Sequence, residues 1–276
     1  MIAVRGREMC ESAAGARGAR AMTMTAKTTA RSRRERLRAQ TTDEIRDMAR
    51  EHLVKRGPQG ISLRAVARDV GLSAPALYRY FPSLDDLITE LIVTCIDELT
   101  RHLETAREAG DAADVPARLA AVSRAFRTWA VRHPAEFALV FGSPVPGYAA
   151  PADGPTEAAG RRFGSVFAGL FAELWARQPF PIQTPDKLGP RLLQSMSGHN
   201  AIVNDALPPG AVTVFLQCYT RLYGIITMEV FGHLSWALDD VEPLFERELD
   251  GLCQLVHTAY TPPPGLGTAA TFPLPC

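Results

Sequence analysis

The sequence lacks the cysteine spacings that build zinc sites or disulfide frameworks. Its five cysteines are widely scattered, odd in number and contain no CxxC pair. They are Cys10, Cys95, Cys218, Cys253 and Cys276. We therefore expect no metal site, and we expect buried, unreactive thiols at Cys95, Cys218 and Cys253 in a reducing compartment.

Long uninterrupted apolar runs are also missing. The first thirty residues contain no apolar core of a secretory signal. The most apolar window, Val212–Phe231, includes Gln217, Arg221 and Glu229, which is typical of a buried helix and not of a membrane span. The sequence thus predicts a cytoplasmic protein with no membrane partner.

Motifs of the common enzyme classes are absent as well. No GxSxG, P-loop or GxGxxG follows a predicted strand, because no long stretch alternates with period two. His133 and Glu136 form an HxxE, but Pro134 lies between them and no second histidine completes a set such as HExxH. We expect no catalysis and no cofactor.

The net charge is zero, but the charges are distributed unevenly along the 276 residues. Residues 1–80 carry 17 Lys and Arg against 8 Asp and Glu, a net charge of +9. Residues 81–276 carry 13 and 22, a net charge of −9. This asymmetry is typical of a nucleic-acid-binding domain joined to a domain with another role.

Residues 61–81 show the pattern of two short helices joined by a tight turn. Apolar residues recur at helical spacing from Leu63 to Val70, and Gly71 follows, where a left-handed residue ends a helix most easily. Ser62 and Ser73 are placed to cap the two helices. The pattern predicts a helix-turn-helix, whose second helix fits the major groove of DNA.

The residues expected to contact DNA lie on and around this second helix. Hydroxyls, positive charges and helix amino ends suit phosphates, whereas the exposed side of the second helix suits base edges. The predicted set is Arg34, Ser62, Arg64, Ser73, Ala74, Pro75, Tyr78, Arg79 and Tyr80. For the two tyrosines, packing in the core is the alternative that the spacing leaves open.

The first forty residues are predicted to be a disordered basic arm, because they are rich in Ala, Arg, Gly, Ser and Thr and show no apolar periodicity. Arg34 belongs to an arginine cluster that runs from Arg31 to Arg38. Such an arm can follow phosphates or enter the minor groove, and a merely solubilising tail is the open alternative.

The rest of the chain is predicted to be wholly helical, so the expected fold class is all-α. Helices are expected over Asp43–Arg56, Asp85–Arg107, Arg118–Arg132, Pro134–Phe141, Arg161–Arg177, Leu188–Ala206, Val212–Leu234 and Glu242–Thr258. We divide the chain into the arm (1–40), a helix-turn-helix domain (41–88), a regulatory and dimerisation domain (89–260) and a flexible tail (261–276).

The regulatory domain has more aromatic residues than a compact bundle needs, which favours a ligand pocket. The predicted pocket residues are Phe126, Trp129, His133, Phe137, Phe141, Phe163, Phe167, Phe171, His199 and Tyr223. Plain core packing of these rings is the alternative. The helices Leu188–Ala206 and Val212–Leu234 are apolar around much of their circumference, and Gly198 and Gly224 would allow close approach in a four-helix dimer interface.

The segment Thr42–Ile92 resembles the DNA-binding domain of the TetR/AcrR family of bacterial repressors. The resemblance is carried by Glu44–Lys55 with Arg56-Gly57, Ile61–Arg64, Val66-Ala67, Gly71–Ser73, Ala76–Phe81, Ser83 and Asp85–Leu87. The stretches His133–Gly142, Pro144–Tyr148 and Phe231–His233 resemble a C-terminal domain found in a subset of that family. One position departs from the pattern: Leu84 stands where the family usually has a phosphate-contacting Lys.

The resemblance implies a homodimeric repressor that binds a palindromic DNA operator and is released by a small apolar or aromatic effector. An architectural or partner-binding helix-turn-helix protein without an inducer is the open alternative. A body filled by its own side chains would favour that alternative.

Overall fold

The computed structural model describes residues 33–196 and 207–263. Within these ranges every regular element is helical and no strand occurs, which confirms the all-α prediction. The helices are α1 (33–56), α2 (Leu63–Val70), α3 (Ala74–Leu77), α4 (Leu84–Ala109), α5 (Val115–Arg132), α6 (Pro134–Phe141), α7 (Pro155–Arg177), α8 (Pro185–Leu188), α9 (Pro190–Met196), α10 (Pro209–Val230) and α11 (Glu242–Leu255). A 3-10 turn, Pro58–Gly60, follows α1.

The chain divides into two compact units. We call the first, which comprises Met1–His52 and Ile61–Leu84, the head. We call the second, which comprises Leu53–Gly60 and Asp85–Cys276, the body. Helix α4 begins at the last residue of the head and continues into the body. None of the described helices is long and apolar enough to span a membrane.

The head has a small apolar core that holds its short helices in place. Its fully or nearly fully buried residues are Ile45, Ala49, Ile61, Leu63, Val66, Ala67, Leu77 and Phe81. The Nε2 atom of His52, a residue that is only 3% exposed, lies 2.8 Å from Oδ2 of Asp69 and links α1 to α2. Hydrogen bonds from Arg68 and His52 lower the pKa of Asp69.

Helix α1 is longer than the sequence predicted, which corrects the assignment of residues 33–40 to a disordered arm. The helical state is already present at residue 33, ten residues before Asp43. This stretch consists largely of Arg, Glu, Leu, Ala and Gln, which are good helix formers. All eight of these residues are exposed, so apolar periodicity could not reveal the helix. Residues 1–32 lie outside the described part of the chain.

Prolines determine several helix boundaries, which differ from the boundaries that we predicted from the sequence. Helices α5 and α7 begin at Val115 and Pro155, earlier than predicted, with a proline in each first turn. The predicted helix Leu188–Ala206 is interrupted, because Gly189 has φ +79° and Pro190 opens a new helix. Proline cannot continue a helix and restricts the residue before it. Residues 197–206, which include Gly198, lie outside the described ranges.

The body packs α5, α7, α10 and α11 around one apolar core, to which α4 contributes Leu99 and Leu103. Ion pairs also join these helices at the edge of the core. The guanidinium of Arg127 binds both carboxylate oxygens of Glu229, at 2.8 and 2.6 Å, and also reaches Glu242 at 3.2 Å. The predicted four-helix assembly of the late helices concerns a second copy of the chain and stays a prediction.

The turn between α2 and α3 depends on the backbone conformation of Gly71. This residue has φ +78°, and a Cβ atom added to it would meet nothing within 4 Å. Substitution therefore costs only the strain of a left-handed backbone, about 1–2 kcal/mol for an ordinary residue. We expect Gly71→Ala to lower the free energy of unfolding by that amount in urea denaturation followed by circular dichroism. Gly71→Asn is the matched control, since Asn tolerates this conformation, and equal losses in both variants would contradict the explanation.

Candidate functional site

The helix-turn-helix is formed by α2, a three-residue connection and α3. The N–H of Leu72 bonds to the carbonyl of Ala67 at 2.8 Å, which closes the end of α2 around Gly71. Helix α3 is only one turn long, but its path continues through tight turns, with the N–H of Phe81 bonded to the carbonyl of Leu77 at 3.0 Å. Leu77 is fully buried and anchors this segment to the head.

Ser62 and Ser73 stand at the first positions before α2 and α3, as predicted, but neither side chain makes a capping hydrogen bond. The capping prediction is therefore wrong for both hydroxyls. The backbone carbonyl of Ser73 instead accepts hydrogen bonds from the N–H groups of Ala76 and Leu77, at 2.9 and 3.1 Å. Both serines are exposed, so their hydroxyls are accessible to an external acceptor such as a phosphate oxygen.

The two tyrosines of this segment differ in their surroundings. The Tyr78 residue is 46% exposed, which excludes it from the core of the head. Tyr80 is half-buried, and the guanidinium carbon of Arg38 lies 5.6 Å from the centre of its ring. Nη2 of Arg38 also donates a hydrogen bond to the carbonyl of Arg79 at 3.2 Å. Arg38 thus holds the carboxyl end of this segment.

The other predicted DNA-contacting residues also lie on the surface of the head. The exposed ones are Arg34, Arg64, Pro75 and Arg79, whereas Ala74 is half-buried. Leu84 is half-buried at the first residue of α4 and supplies no positive charge there. Sequence reasoning missed the specific contact of Arg38, because 41 positions separate it from Arg79 and no local pattern links them.

Most of the predicted pocket residues pack against one another. Ring centres lie 5.4 Å apart for Phe126 and Phe163, and 5.0 Å apart for Phe137 and Phe141. The Tyr223 hydroxyl closes this cluster by donating to the carbonyl of Phe141 at 2.7 Å. These rings therefore pack against one another, and their role as pocket residues stays a prediction.

Of the two histidines expected in that pocket, His133 lies within the described residues. The His133 ring packs on Trp129, with ring centres 5.3 Å apart. Its Nδ1 atom is 3.9 Å from Oε1 of Glu136, and no set of three metal-ligating side chains occurs among the described residues. His199 falls outside the described ranges.

An apolar cavity of about 80 Å³ does occur in the body, between α5, α7, α10 and α11. Two predicted pocket residues, Phe167 and Phe171, line it. The rest of its wall was not predicted. It includes Ala120, Phe215, Cys218, Tyr219, Leu249 and Cys253.

The groups that line the cavity stay uncharged at neutral pH. Burial raises the pKa of the Cys218 thiol to about 12 and also raises the pKa of the Cys253 thiol. Burial raises the pKa of Tyr219, and the neighbouring Tyr223 raises it further by a smaller amount. Such a site suits an uncharged, apolar ligand, because a charged group would lose its hydration without gaining a partner.

A helical pattern in the sequence could have identified this wall. Phe215, Cys218, Tyr219 and Leu222 are spaced as one face of α10. Leu249, Leu252 and Cys253 show the same spacing on α11. Counting aromatic residues alone missed these positions, because cysteine and leucine supply much of this wall.

A second, more open depression of about 530 Å³ also lies within the body. It brings together Pro58, Pro144, Pro146, Phe231 and His233. Two sequence stretches that are far apart, 144–146 and 231–233, therefore lie side by side. We assign no ligand to this depression.

Comparison with known proteins matches both parts of the chain to one family. Residues 45–91 match the model described as bacterial regulatory proteins, tetR family. Residues 119–252 match the model described as tetracyclin repressor-like, C-terminal domain.

Relatives that match most of the chain give the same result. The chain is 34% identical over 203 residues to the HTH-type transcriptional regulator Rv1816 of Mycobacterium tuberculosis, covering 72% of this chain and 85% of the relative. The HTH-type transcriptional regulator Mb1846 of Mycobacterium bovis gives the same values. Both relatives are thus named as transcriptional regulators.

Solved structures share the fold. The crystal structure of the protein SCO4313 is 32% identical, with a TM-score of 0.65 over 80% of this chain and 98% of that chain. A protein from Rhodococcus sp. RHA1 shares the fold at 23% identity, with a TM-score of 0.60 over 78% of this chain and 95% of its own. With its helix-turn-helix head and helical body, the chain belongs to the TetR family of DNA-binding transcriptional regulators.

Proposed function

We propose that the chain is a ligand-responsive repressor, which binds a palindromic operator as a homodimer and leaves it when a small apolar effector enters the body. The proposal is carried by the apolar cavity that accompanies the helix-turn-helix in one chain. Acting on chromosomal DNA, such a repressor works in the cytoplasm. Effector and operator would bias one conformational equilibrium in opposite directions.

In this proposal the exposed side of α3 reads the operator. The accessible ring and hydroxyl of Tyr78 contact base edges or a phosphate, and Ala74 and Pro75 approach the bases closely. The hydroxyls of Ser62 and Ser73 make no capping bond, and in this proposal they contact phosphates.

Arginines of the head supply the remaining attraction for phosphates. Arg34, Arg64 and Arg79 are exposed, and a guanidinium offers several N–H donors to phosphate oxygens. Tyr80 contributes less directly, because Arg38 covers its ring and the pair orients the end of the reading segment.

Dimerisation is proposed through the exposed side of α10. Leu216 is 42% exposed, and Thr220 and Gly224 follow it at intervals of four residues on the same side. A Cβ atom added to Gly224 would meet nothing within 4 Å, so a second helix can approach there. A two-fold dimer would present two reading helices to the two half-sites of a palindrome.

The effector signal is proposed to travel through α4. Leu99 and Leu103 of α4 belong to the same core as the cavity residues Phe167 and Phe171. Nη2 of Arg162 on α7 also binds Oδ1 of Asp97 on α4 at 2.6 Å. A ligand that displaces α7 would therefore move α4, whose first residue belongs to the head.

The alternative is a helix-turn-helix protein that senses no small molecule. The observation in its favour is the aromatic cluster around Phe126, whose rings pack on one another with centres 5.4 to 6.2 Å apart. The two candidates differ in whether occupancy of the cavity changes DNA affinity.

The deciding experiment measures binding of the purified protein to DNA that flanks its own gene, by fluorescence anisotropy with competitor DNA. A saturable complex at a palindrome, which toluene or a similar apolar probe dissociates, is the result expected of a ligand-responsive repressor. A specific complex that no apolar probe weakens would favour the alternative, and weak binding without a preferred site would contradict the operator-binding repressor.

Replacement of Tyr78 tests the reading segment. Tyr78→Ala removes an exposed side chain, so we expect the fold and the oligomeric state to be unchanged while operator affinity falls by about tenfold or more. Anisotropy titration measures the affinity, and size-exclusion chromatography checks the assembly. Tyr78→Phe separates the contribution of the hydroxyl from that of the ring. Full operator affinity in the alanine variant would refute the assignment.

Replacement of Leu84 tests the missing phosphate contact. Leu84→Lys places a positive charge at the start of α4, where it should bind operator phosphates more tightly. We expect the slope of log affinity against log salt to become steeper by about 0.9 for each additional phosphate that the variant neutralises. Leu84→Met is the uncharged control. A slope that is identical in the Lys and Met variants would show that this position does not face DNA.

Filling the cavity tests the effector site. Ala120 lines the cavity and is 6% exposed, so Ala120→Leu adds three carbon atoms to the empty space. We expect this variant to bind the operator normally, to keep or raise its melting temperature, and to lose the response to toluene. Ala121→Leu is the matched control, because Ala121 is next to Ala120 in the sequence but does not line the cavity. An unchanged toluene response in Ala120→Leu would place the effector elsewhere.

A further inference from the structure

The cavity of the body is small for an effector site. Its volume is about 80 Å³. Sites for drug-sized ligands commonly measure about 300–1,000 Å³. Any ligand larger than a few atoms therefore requires one wall of the cavity to move.

Three sides of the cavity are formed by α5, α7 and α10, which pack in the main core, so that displacing them costs more than displacing a segment without regular structure. On the remaining side, α11 ends at Leu255 and the chain continues without regular structure. We call residues 256–263 the strap. Val256 and Thr258 of the strap line the cavity directly. The strap is thus the part of the wall that moves at the lowest cost.

A cluster of polar side chains fastens the strap to α5 and α11. The hydroxyl of Tyr260 donates a hydrogen bond to Oε2 of Glu246 at 2.7 Å. Arg124 holds the same carboxylate, with Nε 2.9 Å from Oε1 and Nη2 2.8 Å from Oε2. Nη2 of Arg124 also donates to the carbonyl of Thr261 at 2.7 Å, and its guanidinium carbon lies 5.7 Å from the centre of the Tyr260 ring.

We propose that the strap is the gate of the cavity and that the Tyr260 hydroxyl is its latch. The purpose of the gate, admission of an effector, rests on the function proposed above. Opening breaks the hydrogen bond of Tyr260 and the contact of Thr261, together with the bonds that the N–H and the hydroxyl of Thr258 donate to the carbonyl of Cys253 at 2.8 and 3.3 Å. The Arg124–Glu246 pair stays intact. Glu246, which is 7% exposed, therefore keeps its charged partner throughout the movement.

The strap also has a hinge where it leaves α11. His257 has φ +54°, a left-handed conformation that costs energy for a residue with a Cβ atom. Its carbonyl accepts an exposed hydrogen bond from Nε2 of Gln178 at 3.2 Å. Rotation at this residue would relieve its strain while α11 remains in place.

Two cysteines of the cavity wall report its opening. Cys218 and Cys253 line the cavity and are half-buried, whereas Cys95 is buried in α4 away from the cavity wall. The alkylation rate of a half-buried thiol rises with the fraction of molecules in which the wall is open. Burial also raises the pKa of Cys218 to about 12, so the reactive thiolate is scarce while the strap is closed.

The test compares alkylation rates of the individual cysteines in the full chain, with iodoacetamide as the probe and peptide mass spectrometry as the readout. Tyr260→Phe removes only the latching hydroxyl and keeps the ring under Arg124. Tyr223→Phe is the matched control, because the Tyr223 hydroxyl makes a bond of the same length, 2.7 Å, to a carbonyl in the aromatic cluster. Thermal unfolding of both variants checks that the fold is retained.

We expect Tyr260→Phe to accelerate alkylation of Cys218 and Cys253 by about tenfold, as is typical when a hydrogen bond to a charged group is lost, and to leave Cys95 unchanged. Tyr223→Phe should change neither rate. Unchanged rates at Cys218 and Cys253 in Tyr260→Phe, or an equal rise at Cys95, would overturn the gate. The assay contains neither DNA nor effector, so its failure is distinguishable from failure of toluene to release the operator.

Discussion

Two arginines of α5 hold the body together around its cavity. Arg124 and Arg127 lie three residues apart, on one side of the helix. Arg124 pairs with Glu246 of α11, and Arg127 pairs with Glu229 of α10 and Glu242 of α11. Because Glu246 and Glu229 are largely buried, removal of either arginine would leave a buried carboxylate without its charged partner, at a cost of about 3–5 kcal/mol. The relative positions of three helices depend on these pairs.

The same ion pairs determine which part of the cavity wall can move. Helices α10 and α11 are fixed to α5 by charge as well as by apolar packing, so ligand entry between them would disrupt buried charges. The strap is fastened to the Arg124–Glu246 pair by hydrogen bonds of Tyr260 and Thr261, and it contributes no charged side chain to that pair. It can therefore detach while the charges remain compensated. A frame held by ion pairs, with one wall that opens more easily than the others, lets a ligand enter without unfolding the domain.

The sequence predicted the parts of the fold that depend on short-range patterns. The helix-turn-helix, the end of α2 at Gly71 and the bodies of the long helices follow from periodicity and from the chemistry of turns. The start of α1 could not be predicted in this way, because residues 33–40 are helical but wholly exposed and show no apolar pattern. Contacts between distant positions were equally hidden, such as Arg38 with Arg79 and Tyr260 with Glu246.

The cavity shows most clearly why composition alone does not locate a site. Aromatic residues were numerous enough to suggest a pocket, yet Phe126, Phe137 and Phe163 pack on one another and do not line the apolar cavity. Rings that meet edge to face fill a core efficiently. The cavity lies instead where the smaller residues Ala120, Cys218 and Cys253 face the rings of Phe167 and Phe171. The volume left over depends on how large and small side chains are paired across helices, and this pairing is a property of the tertiary structure.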